Sequence, residues 1–288
     1  MLKRMRDMHV VGHVTAQTAD GSLEGARVLV TGGSRGIAAA IALRAAASGA
    51  HVAINHCSEA DRLAGHSGAG EGLIGTMNES GGRAVSIDMN LLGADAGRAL
   101  VRKAERALGG IDCLVLSASI QVEKPFVEQT HHDLDQQFLL NLRANIAILQ
   151  AALPGMAANR YGRVLSIGSV QELAPSVRMP VYTMTKAAMR ALIEGLALEY
   201  APHGVTLNTL SPGLIATDRN ERHRADAASW EAIQNRANPM GRAGVPEELV
   251  PSAILLLSPE SAFITGATLY ATGGAHIQDS DRAARPAT

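Results

Sequence analysis

The stretch Arg27-Val-Leu-Val-Thr-Gly-Gly-Ser-Arg-Gly-Ile-Ala38 decides the fold of this chain. Its first five residues read as an apolar β-strand, and an Ala-rich helix follows over residues 37–48. A glycine-rich turn between a first strand and a first helix lets the backbone approach a pyrophosphate, and the helix N-terminus supplies free N–H groups. No Gly-Lys-Ser/Thr follows, so the turn does not read as a P-loop. A simple tight turn is the alternative.

Short apolar runs alternate with longer helical patterns along the rest of the chain. This alternation predicts an α/β fold: a single-domain, doubly wound parallel sheet, Rossmann-like, with helices on both faces. The predicted strands are 27–31, 51–55, 83–87, 111–116, 162–168, 204–210 and 267–271. The predicted helices are 37–48, one within 58–80 interrupted by a loop at 65–72, 95–108, 130–158, one that carries Tyr182 and ends near residue 200, and 247–257.

The chain divides into one domain with two short extensions. Residues 26–276 form the predicted Rossmann-like domain, and residues 214–244 are predicted to form a lid. Residues 1–25 read as an N-terminal arm, and the polar residues 277–288 read as a frayed C-terminal tail. No linker and no repeat at a fixed period divides the domain.

Composition limits the partners of the protein. The chain is 47% hydrophobic and 18% charged, with a net charge of −1, so neither nucleic acid nor an anionic membrane is expected to bind it. No apolar run reaches the length of a membrane span, and the charged start lacks the apolar core of a secretion signal, so a cytoplasmic location is expected. The two cysteines read as small core residues, and no residue set has metal-ligand spacing.

A second motif predicts proton-transfer chemistry. Tyr182 and Lys186 are four residues apart in a helical stretch, which places both side chains on one helix face. Ser169 lies thirteen residues before Tyr182, at the carboxyl end of a predicted buried strand. A cation near a phenol lowers the pKa of the phenol, which can then exchange a proton with an alcohol or carbonyl near neutral pH. Taken alone, the pair also fits a half-exposed Tyr beside a solvated Lys.

The end of the second strand bears on the choice of nucleotide. It reads Asn55-His-Cys-Ser58, with no carboxylate before Glu59 to accept a ribose 2′-OH. Arg35, together with His56 and Ser58, is instead expected to meet a 2′-phosphate. NADP(H) is therefore favoured, and NAD(H) remains possible. Asp88 closes the third strand, either as a helix-capping residue or as an acceptor for the adenine amino group.

Together these residues resemble the classical short-chain dehydrogenase/reductase family, over roughly residues 25–275. The turn is similar to that family's T-G-x-x-x-G-x-G, and Asn141, Ser169, Tyr182 and Lys186 match its catalytic tetrad in order and spacing. Ser211-Pro-Gly213 with Thr217 is similar to the segment that lines the nicotinamide. Two departures stand out: Ala38 replaces the third glycine, and Leu116-Ser-Ala-Ser119 replaces the usual N-N-A-G.

The resemblance implies a role for each matched residue. Tyr182 would be the general acid/base, Ser169 an oxyanion donor, and Lys186 a partner of the tyrosinate and of the nicotinamide ribose. Asn141, at a kink in its helix, would hold a water that joins Lys186 to solvent. The expected cofactor-binding residues are Gly32, Ser34, Arg35, Gly36, Ile37, His56, Asp88, Met89, Ser117, Ala118, Tyr182, Lys186, Pro212, Gly213, Ile215 and Thr217.

The resemblance implies an NAD(P)(H)-dependent enzyme that interconverts a carbonyl and a secondary alcohol, acting on CH–OH groups. The expected substrate-contacting residues are Gln121, Ser169, Gln171, Met179 and Tyr182. Gln121 and Glu172 are polar and hint at a sugar or polyol, whereas a 3-oxoacyl thioester or another secondary alcohol stays open. A cofactor-binding regulator or scaffold without turnover is the alternative from a different class. The family also implies a homo-oligomer, a dimer or a tetramer.

Overall fold

Seven parallel strands form one sheet in the computed structural model, which describes residues 21–79 and 82–277. Most of the predicted arm (1–20) and most of the predicted tail (278–288) lie outside the described residues. The strands run in the order β3-β2-β1-β4-β5-β6-β7, and every adjacent pair is parallel. They are β1 Arg27–Val30, β2 His51–His56, β3 Arg83–Asp88, β4 Cys113–Leu116, β5 Gly162–Ile167, β6 Val205–Pro212 and β7 Thr268–Ala271.

Helices connect the strands and cover the sheet. They are α1 Gly36–Ala47, α2 Ser58–Leu63, α3 Ala69–Glu79, α4 Ala96–Leu108, α5 His131–Phe138, α6 Asn145–Ala158, α7 Pro180–Tyr200, α8 Glu221–Arg224, α9 Ala227–Ala237 and α10 Val250–Leu257. One hydrophobic cluster lies beneath α1 and α10, and a second lies beneath α4, α6 and α7. The predicted doubly wound parallel sheet is therefore confirmed.

The strands form because their apolar runs are buried on both faces. Every residue of β4, β5 and β6 is buried, which is the pattern of central strands in a parallel sheet covered by helices on both sides. The strand order reverses between β1 and β4, and the carboxyl ends of the strands on either side of this reversal form a crevice. In open α/β sheets, ligands bind at such a switch point.

Three local features differ from the sequence prediction. The predicted helix 130–158 is divided by a π-helical segment, Leu139–Ala144, between α5 and α6. The predicted interruption at 65–72 is shorter, because Gly70 and Gly72 lie inside α3 and only residues 64–68 separate it from α2. Residues 246–248 form a 3-10 turn, so the last helix begins at Val250 instead of residue 247.

The described residues also bear on the expected partners and cysteines. None of the helices in the described ranges is long and apolar enough to cross a membrane. Cys113 is a free, buried core residue, and burial raises the pKa of its thiol to about 12. Cys57 is free and partly buried. In residues 21–79 and 82–277 no group of three or more His, Cys, Asp or Glu side chains could hold a metal ion.

Candidate active site

Ser169 lies two residues after the end of β5, where its backbone turns into a short 3-10 helix. It is 8% exposed, and its Oγ accepts a hydrogen bond of 3.2 Å from the backbone N–H of Gln171. Its own N–H donates to Glu172 Oε1 at 2.6 Å. Because the Oγ acts as acceptor within the turn, the hydroxyl proton is available to donate to another group at the strand edge.

Tyr182 and Lys186 occupy successive turns of the first half of α7. Both are buried, at 6% and 7% exposure, and Lys186 Nζ is 5.7 Å from the centroid of the Tyr182 ring. Nζ donates a hydrogen bond of 2.7 Å to the carbonyl of Ile167, two residues before Ser169. The structure therefore brings the helix pair and the serine to one place at the carboxyl edge of β5.

Burial lowers the pKa of Lys186, and the charge of Arg219 lowers it further. The nearby Tyr182 and Glu172 act in the opposite direction and raise it. Arg219 belongs to the segment after β6, so three elements of the fold set the charge environment of this ammonium group.

Asn141 lies inside the π-helical segment and is 2% exposed. Its Oδ1 accepts from the Ile120 N–H at 2.8 Å, and its Nδ2 donates to the Ile120 carbonyl at 2.9 Å and to Thr185 Oγ1 at 3.1 Å. Its side chain thus joins the loop after β4 to α7. Its backbone carbonyl accepts from Asn145 Nδ2 at 3.0 Å and keeps a second lone pair.

The turn between β1 and α1 has the features of a phosphate cradle. Gly32 has φ +64° and lies so close to the next loop that a Cβ would be 2.9 Å from the Cα of Ala118. No side chain caps the N-terminus of α1, and its first turn contains no acidic residue. The uncapped N–H groups and the close backbone approach fit the diphosphate of a nicotinamide dinucleotide.

Arg35 is shared between two carboxylates. Its Nε is 3.0 Å from Asp61 Oδ1, and its NH1 donates to Asp218 Oδ2. Asp61 is 3% exposed and also accepts from Ser34 Oγ at 3.1 Å, while His56 Nδ1 is 3.3 Å from its second oxygen. Asp61 faces back towards the sheet from the first turn of α2, although the sequence pattern at the strand end gave no signal for an acid beyond Glu59.

The ends of β2 and β3 are joined by short contacts. The N–H of Met89 donates to the carbonyl of His56 at 2.8 Å. Ser58 donates from its N–H and its Oγ to the two oxygens of Asp88, at 2.9 and 2.5 Å, and these bonds lower the pKa of the Asp88 carboxyl. Ser58 is therefore a partner of Asp88 in this structure.

Thr31 anchors the loop that departs from the family pattern. Its Oγ1 accepts from the N–H groups of Ser117 and Ala118 at 3.0 and 3.2 Å and donates to the Val115 carbonyl at 3.3 Å. Leu116 is 2% exposed and packs in the core. The backbone of the loop after β4 is thus fixed by Thr31. The loop therefore stays anchored without the Asn side chains of the family pattern.

The segment after β6 closes the other side of the crevice. Pro212 is the last residue of β6, and the N–H of Gly213 donates to the Ala271 carbonyl at 3.0 Å. Ile215 pairs in a parallel bridge with Gly244. A Cβ on Gly36 would be 3.5 Å from Thr217 Cγ2, which places this segment against the start of α1.

The residues expected to contact substrate lie on the surrounding loops. Gln171 Oε1 accepts from Thr183 Oγ1 at 2.9 Å, and its Nε2 is 3.8 Å from Met179 Sδ, so the side chains of Gln171 and Met179 are in contact. Gln121 is partly buried in the loop after β4. Glu172 differs from expectation: its side chain is 0% exposed and points behind Ser169, where its Oε1 accepts from Ser211 Oγ at 3.0 Å.

Comparison with known proteins identifies the family. A family model described as Enoyl-(Acyl carrier protein) reductase matches residues 32–276. The chain belongs to the classical short-chain dehydrogenases/reductases. Members of this family use a nicotinamide dinucleotide to interconvert a carbonyl and an alcohol, so the protein is an oxidoreductase that acts on CH–OH groups. The glycine-rich turn and the crevice fit such a cofactor, and the predicted family and chemistry are confirmed.

Several members of the short-chain dehydrogenase/reductase family are similar over nearly their whole length. The L-rhamnose 1-dehydrogenase (NAD(P)(+)) of Sphingomonas sp. (strain SKA58) is 32% identical over 257 residues, which are 88% of this chain and 98% of that enzyme. The gluconate 5-dehydrogenase of Gluconobacter oxydans is 35% identical over 254 residues, covering 88% and 95%. A crystal structure of the 3-oxoacyl (acyl-carrier-protein) reductase of Agrobacterium tumefaciens C58, with NADP bound, has a TM-score of 0.83 and 39% identity, covering 92% and 99%.

Replacing Thr31 by Val should loosen the loop after β4. The near-isosteric change leaves the N–H groups of Ser117 and Ala118 without their acceptor, which should lower the free energy of unfolding by about 1–3 kcal/mol. Thr31→Ser keeps the hydroxyl and is the matched control, with an expected loss below about 1 kcal/mol. Urea denaturation measures both variants, and equal losses would show that the hydroxyl does not hold the loop.

Proposed function

We propose that the protein interconverts its carbonyl and alcohol substrates with Tyr182 as the general acid/base. The observation that carries this proposal is the convergence of Tyr182, Lys186 and Ser169 at the carboxyl edge of β5, with Lys186 bonded to the carbonyl of Ile167 at 2.7 Å. The nicotinamide cofactor supplies or accepts the hydride when bound. In reduction Tyr182 gives its proton to the carbonyl oxygen, and in oxidation it takes a proton from the alcohol.

The neighbouring residues assist this proton transfer. The ammonium group of Lys186 lies 5.7 Å from the Tyr182 ring centroid and favours the tyrosinate. The Oγ–H of Ser169 donates a hydrogen bond to the developing alkoxide, which is an oxyanion-type role. Asn141 anchors the loop after β4, and the second lone pair of its carbonyl holds a water that joins Lys186 to solvent.

The test of this function is turnover of a substrate panel. NADPH oxidation should be measured with diketones, keto-aldonates and 3-oxoacyl thioesters, and NADP⁺ reduction with sugars, aldonates and secondary alcohols. Tyr182→Phe should reduce kcat by about 10²–10⁴-fold because the phenol is lost. Tyr200→Phe is the matched control, because Tyr200 ends the same helix away from Lys186, and it should retain full turnover. Full activity of Tyr182→Phe would overturn the role of Tyr182, and tight NADPH binding without turnover of any substrate would favour the regulator.

The substrate is proposed to be a small carbonyl or alcohol that contacts Gln121, Gln171 and Met179. The polar amides support a hydroxylated substrate, and the similarity to a rhamnose and a gluconate dehydrogenase points the same way. The similarity to a 3-oxoacyl (acyl-carrier-protein) reductase supports a thioester. The panel separates the two classes.

For the cofactor we propose a preference for NADP(H), with Arg35 as the main partner of the 2′-phosphate. Two observations support it: Arg35 lies in the turn before α1, and the similar reductase of Agrobacterium tumefaciens holds NADP. Asp61 opposes this preference, because its carboxylate engages Arg35, Ser34 and His56, which surround the expected phosphate position.

Two substitutions at this contact should change cofactor affinity in opposite directions. Arg35→Ala should weaken NADPH binding by about 10–100-fold and NADH binding by less than about threefold, because only NADPH carries the phosphate. Asp61→Asn removes a negative charge that would repel the 2′-phosphate, and it should tighten NADPH binding. Equilibrium titration with each cofactor measures binding directly. Equal losses for both cofactors in Arg35→Ala would refute the role of Arg35.

We also propose a cytoplasmic homo-oligomer, a dimer or a tetramer. Large apolar side chains are exposed near the β7 edge, among them Phe263 at 103% and Leu269 at 44%. A second set of exposed, large apolar side chains lies on α7 and on the loop before α5. Burial of such side chains between copies would be favourable.

Sedimentation velocity tests the assembly. The wild-type protein should sediment as a species larger than one 30.0 kDa chain, and Phe263→Asp should shift it to smaller species. Leu63→Asp is the control, because Leu63 is 72% exposed on the distant helix α2 and should leave the assembly unchanged. A monomeric wild-type protein at micromolar concentration would contradict the proposal.

A further inference from the structure

Glu172 is an enclosed carboxylate directly behind Ser169. Its side chain is 0% exposed, although its backbone reaches solvent. Its Oε1 accepts two hydrogen bonds, from the N–H of Ser169 at 2.6 Å and from Ser211 Oγ at 3.0 Å. Ser211 is the penultimate residue of β6, immediately before Pro212. One oxygen atom therefore joins the ends of two neighbouring strands.

The turn that presents Ser169 is packed around this carboxylate. A Cβ on Gly168 would lie 2.1 Å from Glu172 Oε1 and 2.3 Å from Ser211 Oγ, so any larger residue there would displace this junction. A capping box between Ser169 and Glu172 accounts for the bond within the turn. It does not account for the bond to β6, which lies far away in sequence.

The second oxygen of Glu172 faces α7, the helix that carries Tyr182 and Lys186. Arg190 Nε is 3.4 Å from Glu172 Oε2, and neither atom has a hydrogen-bond partner among the described residues. Arg190 lies four residues after Lys186 and eight after Tyr182, so the three side chains share one face of α7. Arg190 NH1 also bonds Glu194 Oε1 at 2.6 Å, one turn further along.

We propose that Glu172 is a positioning residue for the reaction. Its carboxylate fixes Ser169, the end of β6 and the helix that carries Tyr182 in one mutual arrangement. This proposal rests on the proposed function, and it assigns a role to a residue that does not itself touch the substrate. Misplacement of a reacting group by about 1 Å can cost about 10²-fold in rate, so loss of this junction should be visible in kcat.

The charge of Glu172 gives the proposal a second readout. Three groups on three elements act on Lys186: Tyr182 on α7 and Glu172 after β5 raise its pKa, and Arg219 after β6 lowers it. When Glu172 is neutral, the pKa of Lys186 falls further below its usual range. Lys186 then loses its proton at lower pH, so the alkaline limb of the kcat profile should move to lower pH.

The decisive variant is Glu172→Gln. It keeps an oxygen to accept from Ser169 and Ser211, but it loses the charge and presents an amide donor to Arg190. With the panel substrate that the wild type reduces fastest, we expect kcat to fall by about 10–100-fold. The KM for NADPH should stay within about threefold, and the alkaline limb should shift to lower pH. Glu194→Gln is the matched control: it removes the other carboxylate partner of Arg190, does not touch Ser169, and should keep the wild-type profile.

A second variant keeps the test open if Glu172→Gln does not fold. Ser211→Ala removes the bond to β6 but leaves the charge, so kcat should fall several-fold while the alkaline limb stays in place. Wild-type kcat in Ser211→Ala, or in a folded Glu172→Gln, would overturn the positioning role. If this occurs while Tyr182→Phe is inactive, only the inference about Glu172 fails. An active Tyr182→Phe would instead overturn the proposed function.

Discussion

The hydrogen bond from Lys186 Nζ to the carbonyl of Ile167 is the contact on which the site depends. It joins α7 to the last residue of β5 at 2.7 Å, and it does so with a buried ammonium group. Burying a cation costs free energy unless it is bonded and balanced by charge. The carbonyl supplies the bond, and Tyr182 and Glu172 supply the balancing interactions. Because Ser169 follows two residues later, the same contact sets its distance from the helix.

Much of this arrangement could be predicted from the sequence, because it depends on local patterns. The apolar strand before the glycine-rich turn and the Ala-rich helix after it are contiguous, and their order along the chain fixes a parallel sheet. The four-residue spacing of Tyr182 and Lys186 fixes a shared helix face. The end of an apolar run also marks the carboxyl end of a strand, so the sequence predicted that Ser169 lies at the sheet edge.

The remaining features depend on contacts between distant residues. Arg35 reaches Asp218, 183 residues away, and Ser34 reaches Asp61, 27 residues away. No spacing rule predicts which of several acids an arginine selects. The apolar period gives no signal for the π-helical segment at Leu139–Ala144, because one widened turn barely alters it, and only the family resemblance implied a kink at Asn141. Glu172 shows the same limit. Its polarity led to the prediction that it lines the substrate pocket, whereas its contacts with Ser211 and Arg190 hold its side chain behind Ser169.

The segment after β6 contacts the far side of the crevice through charged and polar side chains. Helices α8 and α9 contain no buried residue. Its connections across the crevice are ionic or polar: Asp218 to Arg35, Arg219 to Ser119, and Arg222 to Glu123 at 2.7 Å. Exposed charge pairs are screened by salt, whereas apolar burial is not. The attachment of this segment across the crevice should therefore weaken as the ionic strength rises, whereas the apolar packing of the buried sheet beneath it should not.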